Sequence, residues 1–440
     1  MSNKTIYFLG IGGIGMSALA QYYLHEGDTV HGYDLTPSPI TERLSQMGAV
    51  IHYEEDCSKI PAQVDMVVVT PAVPKEHAEY QYFLKRGVKM HKRSEVLGHI
   101  ADALPTIAVA GTHGKTTTTS LVAHLLSPQE PIAGFIGGVA KNFDSNFVYN
   151  DPPQYAVVEA DEYDRSFLTL HPAAAIITSM DADHLDIYGT RENLIAAFGQ
   201  FGQQSRYLIA EQRIASLLTH PNMVTYGFQP EADYYAYHVD IKPNALTFDL
   251  RMPEGEWKAL RLRANGLYNV LNATAAIAAV RHTTNVSEDC IREKLASFSG
   301  VKRRFEYVVE RPDFIYIDDY AHHPQEIQSV LTAVRELYPD KKLTCIFQPH
   351  LYSRTRDLAD GFATVLSMAD KVILLPIYPA RELPIEGITS EWLLDKVTQP
   401  DKLLLQKSEL IPYLQQHPQE LLLTVGAGDI DRLVPQIAKL

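Results

Sequence analysis

Cysteine is almost missing from this chain. Only Cys57, Cys290 and Cys345 occur in 440 residues. Their scatter fits neither a disulfide framework nor a metal-binding spacing, so they read as buried thiols of a reducing compartment. Long apolar runs are missing too: none approaches the ~18 residues that a membrane span needs. Lys4, an apolar stretch and Ala18-Leu19-Ala20 imitate a signal peptide, but Gly10, Gly12, Gly13 and Gly15 interrupt it. Strand, turn and helix explain that stretch better, and a cytoplasmic location is expected. Positive charge is in deficit, with 39 Lys and Arg against 53 Asp and Glu and a net charge of −14. Non-specific affinity for nucleic acid or an anionic membrane is therefore not expected, and an anionic substrate needs local cationic pockets. What remains is a globular composition, 46 % hydrophobic and 21 % charged. The length suggests about three domains.

The chain is organised around Ala110-Gly111-Thr112-His113-Gly114-Lys115-Thr116-Thr117. Ile107-Ala108-Val109 before it reads as a buried strand, and Thr118 to Leu126 after it as a helix with leucines and valine on one side. Strand, glycine turn and helix start make an anion site, because first-turn N–H groups lack intrahelical partners and the helix dipole adds positive potential. Lys115 can reach the outer phosphates of a nucleotide, and the Thr116 hydroxyl can hold Mg²⁺. Val109 stands where the general phosphate-loop pattern has glycine, so the loop is a compact variant.

Earlier in the chain, Thr5 to Leu9 reads as a strand, Gly10-Ile11-Gly12-Gly13-Ile14-Gly15 as a turn and Met16 to Glu26 as a helix. Asp34 follows the strand Thr29 to Tyr33, about 20 residues on, which completes a dinucleotide-type fingerprint. Physically the fingerprint specifies only a diphosphate on a helix N-terminus and an acid for a ribose hydroxyl. NAD fits that, but the segment is short for a six-stranded dinucleotide domain and favours a mononucleotide such as UDP. Val64 to Thr70 is a further strand, ending in a loop at the ligand-binding edge.

Beyond the phosphate loop, the strand Tyr155 to Val158 ends in Glu159-Ala160-Asp161-Glu162-Tyr163-Asp164, where a nucleotide-bound Mg²⁺ needs oxygen ligands. The strand Ala173 to Thr178 leads to a loop containing His184, which spacing alone leaves equally as a ligand or a structural histidine. Residues 233–262 alternate like a small antiparallel sheet. Leu267 to Arg281 reads as a helix on which Asn269 and Asn272 share a face, either clasping a ligand or capping. After a glycine and basic cluster at 298–305, read as a hinge, strand–helix units place Asp318 to Pro324, Gln348 to Asp357, Tyr378 to Glu382 and Gly426 to Asp429 along one sheet edge.

Gly-Thr-His-Gly-Lys-Thr-Thr, Glu-Ala-Asp-Glu, Asp-His-Leu-Asp, Asn-x-x-Asn, Arg-Arg-Phe and Asp-Asp-Tyr-Ala-His-His-Pro occur in the order found in the Mur ligases. Those are ATP-dependent amide-bond-forming enzymes of peptidoglycan precursor synthesis, and the chain resembles them over nearly its whole length. Gly-Ile-Gly-Gly-Ile-Gly-Met-Ser, Phe-Gln-Pro-His and Val-Gly-Ala-Gly-Asp are most similar to the member that joins L-alanine to UDP-N-acetylmuramate. Two positions depart from that member. Leu351 replaces a usual arginine, and Tyr163 replaces a frequent serine. Such a tyrosine is typical of the muropeptide ligase, which adds L-Ala-γ-D-Glu-meso-diaminopimelate to the same sugar nucleotide. That enzyme is the alternative reading.

The resemblance implies an α/β protein of three domains. Residues 1–103 would form a Rossmann-like UDP-sugar domain, 104–302 a central phosphate-loop ATPase-like domain with a small antiparallel sheet, and 303–440 a C-terminal Rossmann-like domain on the amino-acid side. Lys115, His184 and Arg304 are the implied catalytic residues. ATP would be held by Gly111, Thr112, His113, Gly114, Lys115, Thr116, Thr117, Asn269, Asn272, Arg304 and Asp319. The UDP-sugar would be held by Gly12, Gly13, Ile14, Gly15, Asp34 and Thr70, and the amino-acid side lined by His323, His350, Arg354 and Arg356. Thr116 and Glu159 would hold one Mg²⁺ and His184 a second, with Mn²⁺ able to substitute. The implied partners are UDP-N-acetylmuramate, L-alanine and ATP, with no nucleic acid and no membrane, for a monomer or weak homodimer. Several family members support the second metal with a carbamoylated lysine. No lysine lies between Leu185 and Ala210, so none is expected here.

Overall fold

The computed structural model describes residues 3–181, 185–380 and 382–440. His184 lies outside the described residues. The chain forms two compact units: Met1–Val239 with Thr247–Arg263 and Val270–Ser299, and Asp240–Leu246 with Ala264–Asn269 and Gly300–Leu440.

The first unit carries two sheets. β1 (Thr5–Leu9), β2 (Thr29–Tyr33), β3 (Val50–His52), β4 (Met66–Val69) and β5 (Met90–Lys92) form a five-stranded sheet in the order β3-β2-β1-β4-β5. Every pairing in it is parallel. Thr5 to Leu9 shows no alternation because helices cover both faces, and Ile6 to Leu9 have no exposed surface. All five strands therefore present their C-terminal ends at one edge.

The second sheet has ten strands: β6 (Thr106–Ala110), β7 (Ile132–Ala140), β8 (Ser145–Tyr149), β9 (Tyr155–Glu159), β10 (Ala174–Ile177), β11 (Tyr207–Glu211), β12 (Met223–Gly227), β13 (Tyr234–Lys242), β14 (Ala245–Met252) and β15 (Gly255–Leu262). Their order is β15-β14-β13-β12-β11-β10-β6-β9-β7-β8. The strands expected as a separate small sheet thus continue the main one, through a parallel β12–β13 pairing. β6 lies between β9 and β10, parallel to both, so the loops after these three strands share an edge. The helix Lys115–Leu126 is buried nearly all round rather than on one side, which explains its small Thr, Ser and Ala residues.

One apolar core runs through both sheets, with Ile6, Phe8 and Leu19 beside Ala108, Phe135 and Phe147. The helix Ile14–His25 joins them. Its Tyr22 meets Phe147 edge-on, with centroids 6.4 Å apart. Gln21 Nε2 donates to Asn146 Oδ1 at 3.1 Å, and Asn146 Nδ2 donates to the Ile14 carbonyl at 2.6 Å and to Ser17 Oγ at 3.0 Å. The antiparallel hairpin β7–β8 that supplies these contacts was not anticipated.

The second unit holds β16 (Glu306–Glu310), β17 (Ile315–Asp319), β18 (Leu343–Phe347), β19 (Lys371–Leu374), β20 (Lys402–Leu404) and β21 (Leu421–Val425), in the order β16-β17-β21-β18-β19-β20. All but the antiparallel β16 edge are parallel. Cys345 is buried, which pushes its thiol up to about 12, but Cys57 and Cys290 are only half-buried. The expectation of three buried thiols fails there, because both sit on short surface-lying helical segments. No helix among the described residues is long and apolar enough to cross a membrane.

Candidate functional site

The phosphate loop leaves β6 at Ala110 and turns at Gly111, whose φ is +133°. A Cβ there would lie 2.1 Å from Thr178 Oγ1. Gly114, at φ +82°, caps the helix Lys115–Leu126, and a Cβ on it would stand 2.8 Å from Asn272 Oδ1. Asn272 is thereby brought to the loop. The segment after β10 braces the loop from the other side. His113 N donates to Ser179 Oγ at 2.8 Å, Thr112 Oγ1 lies 2.9 Å from the same hydroxyl, and Thr178 Oγ1 donates to the carbonyls of Ala110 and His113. Thr178 and Ser179 were missed by motif reasoning. Their signal was their place after a strand adjacent to β6.

Two carboxylates at the end of β9 divide the loop's polar groups between them. Thr116 Oγ1 donates to Glu159 Oε1 at 3.0 Å, and Gly137 N donates to Glu159 Oε2 at 2.8 Å. Lys115 Nζ donates to the Gly111 carbonyl at 2.6 Å and pairs with Glu162 Oε1 at 2.8 Å. The Glu162 side chain has no exposed surface, and its carbonyl accepts the Tyr188 hydroxyl at 2.6 Å. Burial opposes the charge of Lys115, but Glu162, Asp161 and Glu159 outweigh it and hold the lysine protonated. Motif reasoning placed Glu162 only within the acidic run offered to Mg²⁺, not as the partner of Lys115.

Thr116 Oγ1 and the Glu159 carboxylate are hard oxygen donors held side by side beneath a phosphate loop, the donor chemistry that Mg²⁺ prefers. Among the described residues no group of three His, Cys, Asp or Glu converges as a metal cage.

At the C-terminal edge of the first sheet, Gly10 N and Ile11 N donate to the Tyr33 carbonyl. Gly12 N donates to Asp34 Oδ2 at 2.7 Å, so this carboxylate is folded onto the glycine turn. A Cβ on Gly10 would meet Thr70 Cγ2 at 2.6 Å. Gly12, Asp34 and Thr70 therefore surround one turn, with Gly13 as N-cap of the following helix and Ile14 and Gly15 in its first turn.

In the second unit, Arg303 rather than Arg304 makes the ion pair. Arg303 Nε donates to Asp318 Oδ2 at 3.0 Å and its Nη2 to the Gly426 carbonyl at 2.7 Å. Arg304 lies over the Tyr320 ring, 5.0 Å from its centroid. Asp319 is buried and accepts from Phe305 N at 2.6 Å and Ala321 N at 2.7 Å. Burial raises its carboxyl to about 6 against the opposing pull of Arg304. Asn269 Nδ2 donates to the Asn265 carbonyl at 2.6 Å. His350 stacks on Tyr378 at 5.7 Å and approaches Arg354, with Nδ1 3.5 Å from Nη1. His322 faces His350, with centroids 6.2 Å apart, and burial drives it down to about 4. His323 caps the next helix, where Glu326 accepts from its backbone N–H. Arg356 is exposed and paired with Asp357 at 2.7 Å.

Three family models match the chain: the Mur ligase family catalytic domain over residues 5–104, the Mur ligase middle domain over 109–280 and the Mur ligase glutamate ligase domain over 303–430. The chain is 46 % identical over 445 residues to a UDP-N-acetylmuramate–L-alanine ligase of Flavobacterium johnsoniae, covering 99 % of this chain and 98 % of that one. The chain belongs to the Mur ligase family. A relative of the same name from Porphyromonas gingivalis is 45 % identical, covering 98 % of this chain and 97 % of that one. The solved UDP-N-acetylmuramate–alanine ligase of Thermotoga maritima superposes with a TM-score of 0.84 at 28 % identity, covering 99 % and 98 % of the two chains. A murein peptide ligase of Psychrobacter arcticus shares the fold, with a TM-score of 0.71 at 22 % identity over 99 % of both chains.

In this Mur ligase the two departures noted in the sequence have distinct settings. Leu351 adopts a φ of +70°, rare for a residue with a Cβ, and its N–H donates to the Tyr378 carbonyl at 2.9 Å. It thus fixes the turn between His350 and the short helix Tyr352–Asp357. Tyr163 N donates to Asp161 Oδ1 at 3.0 Å, which closes a tight turn around Glu162.

Proposed function

We infer that this Mur ligase joins L-alanine to the lactyl carboxylate of UDP-N-acetylmuramate in peptidoglycan precursor synthesis, converting ATP to ADP and phosphate. The observation that carries this reading is the full-length 46 % match to alanine-adding ligases. The chemistry has two balanced steps. A lactyl carboxylate oxygen attacks the γ-phosphorus and ADP leaves. The alanine amine then attacks the acyl carbon of the acyl phosphate, phosphate leaves with the C–O electron pair, and the amine loses a proton.

Three negative groups must meet, so catalysis is chiefly charge compensation and positioning. Lys115 offers its remaining N–H to the outer phosphates, because Gly111 and Glu162 take the other two. Thr112 and His113 give their N–H groups to Ser179, so the first-turn N–H groups of Lys115, Thr116 and Thr117 would meet the phosphates, and Thr116 and Glu159 are the residues that would hold Mg²⁺. When bound, that ion offsets phosphate charge. We assign His184 to a second ion, with Mn²⁺ able to substitute. Asn269, Asn272, Arg304 and Asp319 are assigned to ATP. The UDP-sugar goes to Gly12, Gly13, Ile14, Gly15, Asp34 and Thr70, and the alanine side to His323, His350, Arg354 and Arg356. The corresponding divisions of the chain are 1–103, 104–302 and 303–440, for a cytoplasmic monomer or weak homodimer.

The deciding experiment is ATP-dependent phosphate release with UDP-N-acetylmuramate and either L-alanine or L-Ala-γ-D-Glu-meso-diaminopimelate. Release with free L-alanine is expected. Release with the tripeptide alone would move the enzyme to cell-wall recycling.

The neighbouring arginines are expected to separate. Arg304→Ala lowers turnover strongly with only a modest loss of UDP-sugar affinity. Arg303→Ala strips the counter-ion from buried Asp318 and lowers the thermal midpoint instead. Equal effects of both variants on midpoint and turnover would remove the distinction.

A further inference from the structure

Arg93 has no role in any of the motifs above. It opens the helix Arg93–Asp102 directly after β5, so it stands at the same sheet edge as the glycine turn, Asp34 and Thr70. Its side chain lies on that turn: Cδ, Nη1 and Nε are 2.9, 3.1 and 3.2 Å from where a Cβ on Gly15 would be. The guanidinium thus occupies the space that Gly15 leaves empty. On its far side Nη2 is 3.9 Å from Asp161 Oδ2, an ion pair too long for a hydrogen bond. Asp161 is the residue before Glu162, the partner of Lys115. Among the other loops at this edge, Asp34 follows β2 and Glu54, Glu55 and Asp56 follow β3, while Lys75 and His77 follow β4.

A diphosphate on this edge meets a chain of net charge −14 and the Asp34 carboxylate on the glycine turn itself. Backbone N–H groups alone are weak compensation for two phosphates in such a field. A guanidinium supplies a planar fork of donors matched to phosphate oxygens. Its stem is fixed by contact with Gly15, and Asp161 orients its outer end without neutralising it by a hydrogen bond.

We propose that Arg93 grips the diphosphate of the sugar nucleotide, held over the glycine turn by the missing side chain of Gly15 and steered by Asp161. This rests on the reading of the first sheet edge as the UDP-sugar site. Arg93 also places one cation between the sugar-nucleotide turn and the acidic loop that carries Glu162.

The test is calorimetric binding of UDP and of uridine to the full chain and its variants. Arg93→Gln is expected to weaken UDP about tenfold or more while leaving uridine within about twofold. Arg93→Lys, which keeps the charge without the fork, recovers part of the loss. Gly15→Ala, which displaces the side chain, reproduces the UDP-specific loss. Equal weakening of UDP and uridine in Arg93→Gln would make the residue a fold support and overturn the proposal. So would unchanged UDP affinity, or an equal loss in Arg93→Lys. A wild type that binds no UDP overturns the sugar-nucleotide reading itself, and this inference with it.

Discussion

Gly111→Ala is expected to lower kcat/KM for ATP in phosphate release by about a hundredfold or more. Two effects combine. The φ of +133° is a conformation that a residue with a Cβ adopts only at a cost of about 1–3 kcal/mol. The added Cβ also meets Thr178 Oγ1 at 2.1 Å, Ser179 N at 2.9 Å and Thr178 N at 3.0 Å. Two of those three atoms are backbone, and Thr178 is already bonded to the carbonyls of Ala110 and His113. Relief therefore requires the loop itself to move, which shifts the N–H groups that should face phosphate. Gly255→Ala is the control. Gly255 has a φ of +144° but no atom within 4 Å of its added Cβ. It carries the strain without the clash and should leave turnover unchanged. Turnover in Gly111→Ala within about threefold of wild type would show that the loop is not the rigid cradle that anion binding requires.

Glu162→Ala is expected to cost about 3 kcal/mol or more of stability as well as most of the turnover. It removes the counter-ion of Lys115, a side chain only 16 % exposed, and leaves an ammonium facing protein. Because Lys115 keeps some contact with water, the lower end of the usual range for a broken buried pair applies. The second variant, Lys115→Met, removes the charge itself. The double variant should regain much of the stability lost in Glu162→Ala, because no uncompensated ion remains, yet it should stay inactive. Chemical denaturation of the four proteins measures the coupling. Additive losses, or a Glu162→Ala variant within about 0.5 kcal/mol of wild type, would mean that the pair has no energetic role.

The two variants also mark where reading the sequence stopped. The phosphate loop, the glycine turn and the strands before them were legible because each is local: an apolar run, a glycine and a helix start within a short window. Thr178, Ser179 and Glu162 were not, since their roles come from strand order. β10 and β9 flank β6, and only the paired sheet shows which loops become neighbours. The hairpin β7–β8 was missed for a different reason. Ile132 to Ala140 carries Gly134, Gly137 and Gly138, which weaken a strand reading, although Gly137 is there because Glu159 fills the space of its side chain. Adjacent arginines defeat spacing altogether. Residue 303 faces Asp318 because its φ of +61° turns the chain, and no periodicity distinguishes it from residue 304. Family resemblance supplied the chemistry, while the pairings of Arg303, Glu162 and Arg93 join residues from separate loops that only the folded sheets bring together.

The core shared by the first two sheets has a practical consequence. Ile14–His25 buries Met16, Leu19 and Ala20 in the same apolar cluster as Phe135 and Phe147, and Asn146 is hydrogen-bonded into its first turn. A polypeptide cut at residue 103 would leave each piece with a raw hydrophobic face and orphaned amide groups. Neither piece should express as a soluble protein, so fragment-based screening for ligands of the sugar-nucleotide turn needs both sheets on one chain.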